Sequence, residues 1–452
     1  MSAHALSAAL VLLLSTPAIL ATGATEAATI VVDVSGGGDF QTIQEGIDAA
    51  ASGDTVLVLK GAYTGPYNRE LDFAGRSIML MSRDGAEQTV INCQGAGRAI
   101  LFDDGESDES LVRGFTLTNG VSHPEDGAGV LVTNGSSPVI EDCVIESCNS
   151  SISYGGGIAV VSAEATLRRC EIRYCSGGGA AVHCDHGIVA LENCEVRQNA
   201  SGLHALFSTV RVESTLFRDN RHSDGRHFFL RYSGGTFSSC DFERSPEVNP
   251  GYYGAVRLYA SSPVLEDCTF TLNYNTKAAI VYGLHSSPVF ERCVFANNFS
   301  WGGAAIAQLG STDIGDPVFR NCTLFGRIDW SDDNTIFALD DCWPLIENCI
   351  LSFSGADQVL LVRGNSEPVL THCVMYNVEG ADELCGPGTV NALADPLFCD
   401  VYEYDFTLCE NSPCLPEGNP WGELVGALDQ GCSDCSSPVT RTSWGAIKAM
   451  YR

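Results

Sequence analysis

A triplet of apolar residue, cysteine and apolar residue recurs along this chain at a nearly constant interval, and it limits the fold more than any other feature. In SSPVIEDCVIESC, Ser136 to Cys148, take Cys143 as the origin. Ile140 lies three residues before it, Ile145 two after and Cys148 five after. The same frame fits Leu167/Cys170/Ile172/Cys175, Leu191/Cys194/Val196/Asn199, Val212/Thr215/Phe217/Asn220 and Phe237/Cys240/Phe242/Ser245. It continues through Leu265/Cys268/Phe270/Asn273, Phe290/Cys293/Phe295/Asn298, Phe319/Cys322/Leu324/Arg327, Ile346/Cys349/Leu351/Ser354 and Leu370/Cys373/Met375/Val378. Nine intervals separate Cys143 from Cys373 over 230 residues, about 25 each. A fixed period of that size marks a solenoid, whose units bury their apolar sides only against one another.

Within a unit the apolar positions lie two or three apart in runs of a few residues, the alternation of strands rather than the 3.6-residue period of helices. β-Branched and aromatic residues fill the runs, and Ser-Pro, Gly-Gly and Asn separate them. Each unit also has a Gly-led entry segment: GAGVLV from Gly127, GGGIAV from Gly155, GGGAAV from Gly177, YGAVRL from Tyr253 and GGAAIA from Gly302. One turn therefore reads as three short strands. About a dozen turns stacked at ~4.8 Å would make a rod of roughly 60 Å, each turn covering its neighbour's edge. Ahead of the rod, Thr42 to Ala51 places Ile43 and Ile47 at helical spacing, and a helix here would cover the open first turn.

These features resemble the right-handed parallel β-helix superfamily with the pectin-lyase-like fold, in particular bacterial secreted β-helix repeat proteins, over about residues 29 to 430. The GDF-TIQ-AI-A segment resembles the cap that opens pectinesterases and many β-helix proteins. The fold class so implied is all-β: a single right-handed parallel β-helix of three-strand coils with an N-terminal capping helix. The superfamily includes lyases, hydrolases, esterases, epimerases and non-catalytic surface proteins, so the fold alone does not choose a function. The motif sets of its enzymes do not occur here. Missing are GxxxQAV, DFIFG and LGRPW of pectinesterases, and NTD, GHG and RIK of polygalacturonases, so that Asp332–Asp333 stands without partners. WIDH and RxPxxR of pectate lyases are also absent, and HPED at His123 to Asp126 only scrambles the DPHE of mannuronan epimerases.

From Leu6 the chain runs LSAALVLLLSTPAILATGA, an apolar stretch followed by small residues, which reads as a signal peptide over residues 1–28. A membrane anchor is the competing reading, for which the stretch is short; no other segment could cross a bilayer. Secretion is the expected fate. A net charge of −31 with three lysines, Lys60, Lys277 and Lys448, excludes nucleic acid and disfavours acidic glycans and anionic lipid. Clustered carboxylates in FDDGESDES, Phe102 to Ser110, are candidates for calcium, against the plainer reading of a solvated acidic loop; the same pair of readings applies to Ser331 to Asn334. No other cofactor is expected.

Fifteen of the 20 cysteines fall into two groups. The ladder residues Cys143, Cys170, Cys194, Cys240, Cys268, Cys293, Cys322, Cys349 and Cys373, with Thr215 in the same slot, are expected to stack inside the rod as buried thiols. Cys148 and Cys175, one turn apart, are in place to pair or to stay reduced. Asn199, Asn220, Asn273 and Asn298 repeat five residues after the slot and form a structural amide ladder. Residues 381–435 read as a Cys-rich closing turn after a rod at 29–380. An even set in a secreted chain favours disulfides among its Cys385, Cys399, Cys409, Cys414, Cys432 and Cys435, with connectivity open. The last segment, 436–452, is a short basic amphipathic tail, either a frayed end or a signal read by secretion or sorting machinery.

No catalytic residue can be assigned. A stripe of His183, His186, His204, Arg226, His227, Arg231, Arg257, Tyr259 and Tyr282, joined by Asp185 and His285, falls on successive turns in or beside the Gly-led strand. Such residues on a flank suit an extracellular polysaccharide or other surface component. They also suit an eliminase, with Arg neutralising a carboxylate and His or Tyr taking the proton. The plain alternative is that a long rod must expose polar side chains somewhere. The expected function is a non-catalytic scaffold with a glycan-binding or adhesive face; a polysaccharide lyase or glycosidase is the alternative.

Overall fold

Short runs of β-branched and aromatic residues become short strands, and three of them complete each turn of a right-handed parallel β-helix. The structure, a computed structural model, describes residues 27–122, 126–150, 154–177, 180–220, 227–245, 254–275, 280–300, 304–310, 317–326, 335–352, 360–363, 365–376, 384–385, 389–401 and 403–433. Residues 1–26, which hold most of the expected signal peptide, and also His123, Arg226, Ser331 to Asn334, Cys435 and the tail lie outside these residues. The first sheet has 14 strands, from Thr29–Val32 to Val369–Thr371. The second has 12, from Leu71–Asp72 to Leu360–Arg363, and the third 14, from Gly61–Tyr63 to Ala392–Leu393. All three are parallel. No helix among the described residues is long and apolar enough to cross a membrane.

The three strands per turn are those the repeat predicts. Val130–Thr133, led by Gly, lies in the second sheet, Val139–Glu141 in the first and Val144–Glu146 in the third. The residue three before the slot points inward from the first sheet, and the residue two after it points inward from the third. Rungs pair Ile140 with Leu167, Leu191, Val212 and Phe237, and Ile145 with Ile172, Val196, Phe217 and Phe242. All are buried. Because rungs are one strand spacing apart, equivalent rings stack: Phe242 on Phe270 at 4.7 Å, Phe270 on Phe295 at 4.8 Å and Phe290 on Phe319 at 4.8 Å.

Corners join the strands, and each uses a residue in the left-handed region. Asp142, Arg169, Asn193, Ser214 and Ser239 do this just before the cysteine slot, with φ of 47–55°. Non-glycine residues adopt this conformation at a cost, and buried ladders at the corners offset it. Cys293 Sγ lies 3.4 Å from the carbonyl of Glu291 on its own rung and 3.4 Å from that of Leu265 on the rung before. Thr215 reproduces the pattern: its hydroxyl donates to Glu213 O at 2.9 Å and accepts the Cys194 N–H at 3.2 Å. At the next corner Asn273 Oδ1 accepts the Ser245 N–H at 3.0 Å, and Asn298 Oδ1 accepts the Asn273 N–H at 3.0 Å. The third corner carries serines. The N–H groups of Ser208, Ser233 and Ser261 donate to the Oγ of Ser233, Ser261 and Ser286, each at 3.1 Å. Cys349 Sγ likewise accepts the Cys322 N–H at 3.4 Å, so cysteine, asparagine and serine solve one problem, pairing a corner N–H that the sheets cannot reach. Replacing Thr215 by valine should cost about 1–3 kcal/mol in a urea titration, because the Cys194 N–H is left buried and unpaired, whereas Thr215→Ser should cost less than half as much.

At the amino end, helix Ile43–Ala49 buries Ile43, Gly46 and Ile47 on the first rung. Asn68, from the following loop, accepts the Ile43 N–H at 2.9 Å, tying the cap to the rod. At the far end Leu384 and Cys385 pack against the core, and Asn391 Oδ1 accepts the Cys373 N–H at 3.0 Å.

The Cys-rich segment does not extend the stack. Its strands Phe398–Asp400, Asp405–Cys409 and Gln430–Cys432 form a separate sheet folded back on the flank of the third sheet. There Leu408, Cys414, Leu415 and Val425 cover Ile350 and Val374, while Phe406 and Ala427 cover Val294, Ala296 and Phe325. The expectation of six half-cystines is corrected. Cys399–Cys432 is a disulfide and Cys409 is also disulfide-bonded, but Cys385 and Cys414 are thiols used as packing groups. Cys148 and Cys175 are buried free thiols, like the nine ladder cysteines.

Candidate functional site: the outer flank of the second sheet

On the second sheet, outward side chains stack rung on rung into columns. His183 pairs with His204, His204 with Phe229, Phe229 with Arg257 and Arg257 with Tyr282. Two residues further along the strands, Asp185, Leu206, Arg231, Tyr259 and Leu284 form a second column. The left-handed corner residues His186, Phe207, Tyr232, Ala260 and His285 form a third.

The rung spacing sets how these groups meet. Tyr154 stacks on His183 at 4.7 Å, His204 on Phe229 at 5.0 Å, and the Arg257 guanidinium sits 4.7 Å over the Phe229 ring. In the corner column His186 meets Phe207 at 5.0 Å, and Phe207 stacks on Tyr232 at 4.9 Å. Ring faces are therefore spent on one another, so the flank presents ring edges, phenol hydroxyls, imidazole nitrogens and guanidinium groups. It offers directed hydrogen-bond donors rather than a broad π-platform.

His183 points outward yet is only 2% exposed, since Tyr154 covers it. Burial lowers its pKa against the pull of Asp126 and Asp185, and its Nδ1 has no partner among the described residues. His186 is exposed at the corner, with Nδ1 2.7 Å from Asp185 Oδ1. Arg231 is exposed, makes no ion pair among the described residues, and lies 5.6 Å from the Tyr232 ring and 5.8 Å from that of Tyr259. A hydrogen bond with Tyr232 holds the Tyr259 phenol above its usual range.

The structure thus brings His183, His186, His204, Arg231, Arg257, Tyr259, Tyr282 and His285 to one flank. His227 is corrected: it is fully buried inside the rod. The residue opening a Gly-led strand faces the corner ladder, and at this rung the ladder needs a polar bridge. Tyr154, Phe207, Phe229 and Tyr232 also belong to the flank, although a search for polar groups passes over them. An aromatic residue directly before a corner serine, as in Phe207–Ser208 and Tyr232–Ser233, is the signal that could have found the last column.

The acidic loop lies elsewhere. Oxygens of Asp72, Asp104 and Glu106 come within 4.8 Å of one another. Glu106 is fully buried and accepts from the N–H groups of Gly75 at 2.9 Å and Asp104 at 3.2 Å, and from Ser136 Oγ at 2.8 Å, so it ties the loop to its neighbours. The Asp103 carboxyl is pushed up by burial and by the charges of Asp104, Asp72 and Glu106.

Residues 98–247 match the family model described as right handed beta helix region. Among solved structures the chain is similar to pectate lyase Pel9A, with a TM-score of 0.36 and 12% identity over 90% of this chain and 97% of that one. It is similar to PfbA, a surface adhesin of Streptococcus pneumoniae, with a TM-score of 0.34 and 10% identity over 74% and 86%. It is also similar to a mannuronic acid specific polysaccharide family 6 lyase from human gut microbiota, with a TM-score of 0.35 and 12% identity over 76% and 91%. At such scores these likenesses do not bear on the chemistry. Among curated proteins no match was found.

Proposed function

We propose that this right-handed parallel β-helix is a secreted binding scaffold whose second-sheet flank holds an extracellular polysaccharide or glycan-bearing surface without turning it over. One observation carries the reading. The four successive strands and corners at 203–207, 228–232, 256–260 and 281–285 hold no carboxylate, in a chain with 56 Asp and Glu. They carry instead Arg231, Arg257, His204, His285, Tyr232, Tyr259 and Tyr282. On the other two sheets the same rungs put out Glu213, Glu266 and Glu291, or Asp241 and Glu243. Donors cleared of competing carboxylates suit the hydroxyl oxygens of a sugar chain. The strongly acidic body disfavours polyanions at long range, so neutral glycans fit best. Disulfides in the closing unit fit an oxidising compartment.

A glycan array combined with turnover assays on plant and algal polysaccharides tests this. Binding should fall about tenfold or more in Arg231→Ala at unchanged melting temperature, with no product formed. Product formation that disappears in Arg231→Ala would replace the scaffold reading with an eliminase or hydrolase, whose acid–base candidate is the exposed His186–Asp185 pair. Absence of binding to every glycan would overturn both readings.

A further inference from the structure

The asparagine ladder has a gap, and His227 fills it. Asn220 and Asn273 occupy the corner slot on rungs separated by one that carries Ser245, too short to join them. The His227 ring lies between the two amides. Its Nε2 is 3.0 Å from Asn273 Oδ1, and its Nδ1 is 3.4 Å from Asn220 Nδ2. The neighbours fix the direction of each contact. Asn220 Oδ1 accepts from the backbone and side-chain N–H groups of Asn199, both at 3.2 Å, and its Nδ2 donates to Val196 O at 2.8 Å. Turning that amide over would break all three bonds. Asn273 Oδ1 also accepts the Ser245 N–H at 3.0 Å, while its Nδ2 donates to Phe242 O at 3.0 Å and Asn298 Oδ1 at 3.1 Å. Only the neutral ring with its proton on Nε2 satisfies both sides.

We propose that His227 is an acid-sensitive latch: taking up a proton sets an N–H at Nδ1 against the N–H of Asn220 in a dry core, and the rung carrying Phe229 and Arg231 opens. Among the described residues, the groups packed around the ring offer no relief. Phe217 at 6.5 Å and Phe242 at 6.0 Å are apolar, and in the same sheet Gly202 and Ala255 bring no polar side chain. The one carboxylate among the described residues whose charge favours the protonated ring is Asp219, which is paired with Arg218 at 3.4 Å. The preceding residues 221–226 lie outside the described residues. Burial lowers the His227 pKa to about 4 from an ordinary 6.5. The folded rung therefore binds the proton less readily than the opened one. Stability of this rung is full above 6.5, declines as pH falls from 6.5 to 4, and then levels off. Loss of ligand in acid further depends on the binding reading given above; the opening does not.

Hydrogen exchange of the full chain from pH 7 to pH 4, corrected for intrinsic rates, tests the latch. Protection of Phe228–Arg231 should fall roughly a hundredfold relative to Thr55–Val58 in the wild type, and by less than threefold in His227→Gln, which cannot titrate. Equal loss in both proteins, or none in the wild type, would overturn the proposal. Should His227→Gln not fold, selectively labelled histidine in the wild-type chain gives a second readout. One imidazole that titrates near 4 and persists in His183→Gln supports the latch, and the absence of such an imidazole sinks it. Rung opening without any change in glycan capture would leave the latch standing and remove the binding role of this flank.

Discussion

Phe242→Ala is expected to lower the free energy of unfolding by about 3–5 kcal/mol, measured by urea titration. The ring is fully buried where several columns meet, 4.7 Å from Phe270, 5.2 Å from Phe217, 5.4 Å from Phe228 and 6.1 Å from Phe237. A void left there cannot collapse readily, because parallel pairing of Asp241–Glu243 with the strands on either side holds the backbone at a fixed rise. Phe242→Leu removes less volume and should cost about 1–1.5 kcal/mol. Stability in a solenoid is a sum over rungs and their interfaces, so a deep lesion in one rung should also broaden the transition. A loss below 1 kcal/mol for the alanine variant would show that the stacked phenylalanines are not the spine of the rod.

The rod was legible because its signal is redundant. Ten copies of one frame place every slot residue, and the inward positions at Ile140, Ile145 and their equivalents follow from alternation alone. The corners were legible only in part. Cysteine and asparagine stood out as rare residues at fixed spacing, whereas Ser208, Ser233, Ser261 and Ser286 read as ordinary turn punctuation, although they make the same bonds. The flank was legible as a stripe, since one-period spacing sets His183 beside His204 whatever the packing. Its depth was not. Tyr154 buries His183 from a neighbouring rung, and Ser245 draws His227 inside by leaving a gap of one rung in the amide ladder. Both effects depend on which side chain is missing or large on another turn, which period counting does not see. The folded-back closing unit had a readable sign. The outward third-sheet positions change from Glu171, Arg173, Glu195 and Arg197 to Val294, Ala296, Phe325, Ile350 and Val374, so that both faces of those strands turn apolar.

That change of face leads to the second large effect, Cys399→Ala. The Cys399–Cys432 bond closes a separation of 33 residues, and loop closure of that length stabilises by about 4 kcal/mol. The closing unit is small, with short strands and a modest apolar contact, so this contribution decides whether it stays docked. Without the bond, residues 394–432 should detach first and expose Phe325, Ile350 and Val374 on an otherwise intact rod. Limited proteolysis should then cut within 394–433 at least tenfold faster, and a hydrophobic dye should bind, before any loss of far-ultraviolet β signal. Reduction of the wild type should give the same result, while Cys414→Ala, which breaks no disulfide, should behave as a core truncation without selective release. The order of events is the decisive point. If the rod and the closing unit melt together in Cys399→Ala, the flank contact through Phe325, Phe398 and Phe406 is strong enough to hold without the crosslink, and the unit is part of the rod's own cooperative fold rather than a clasp laid on its side.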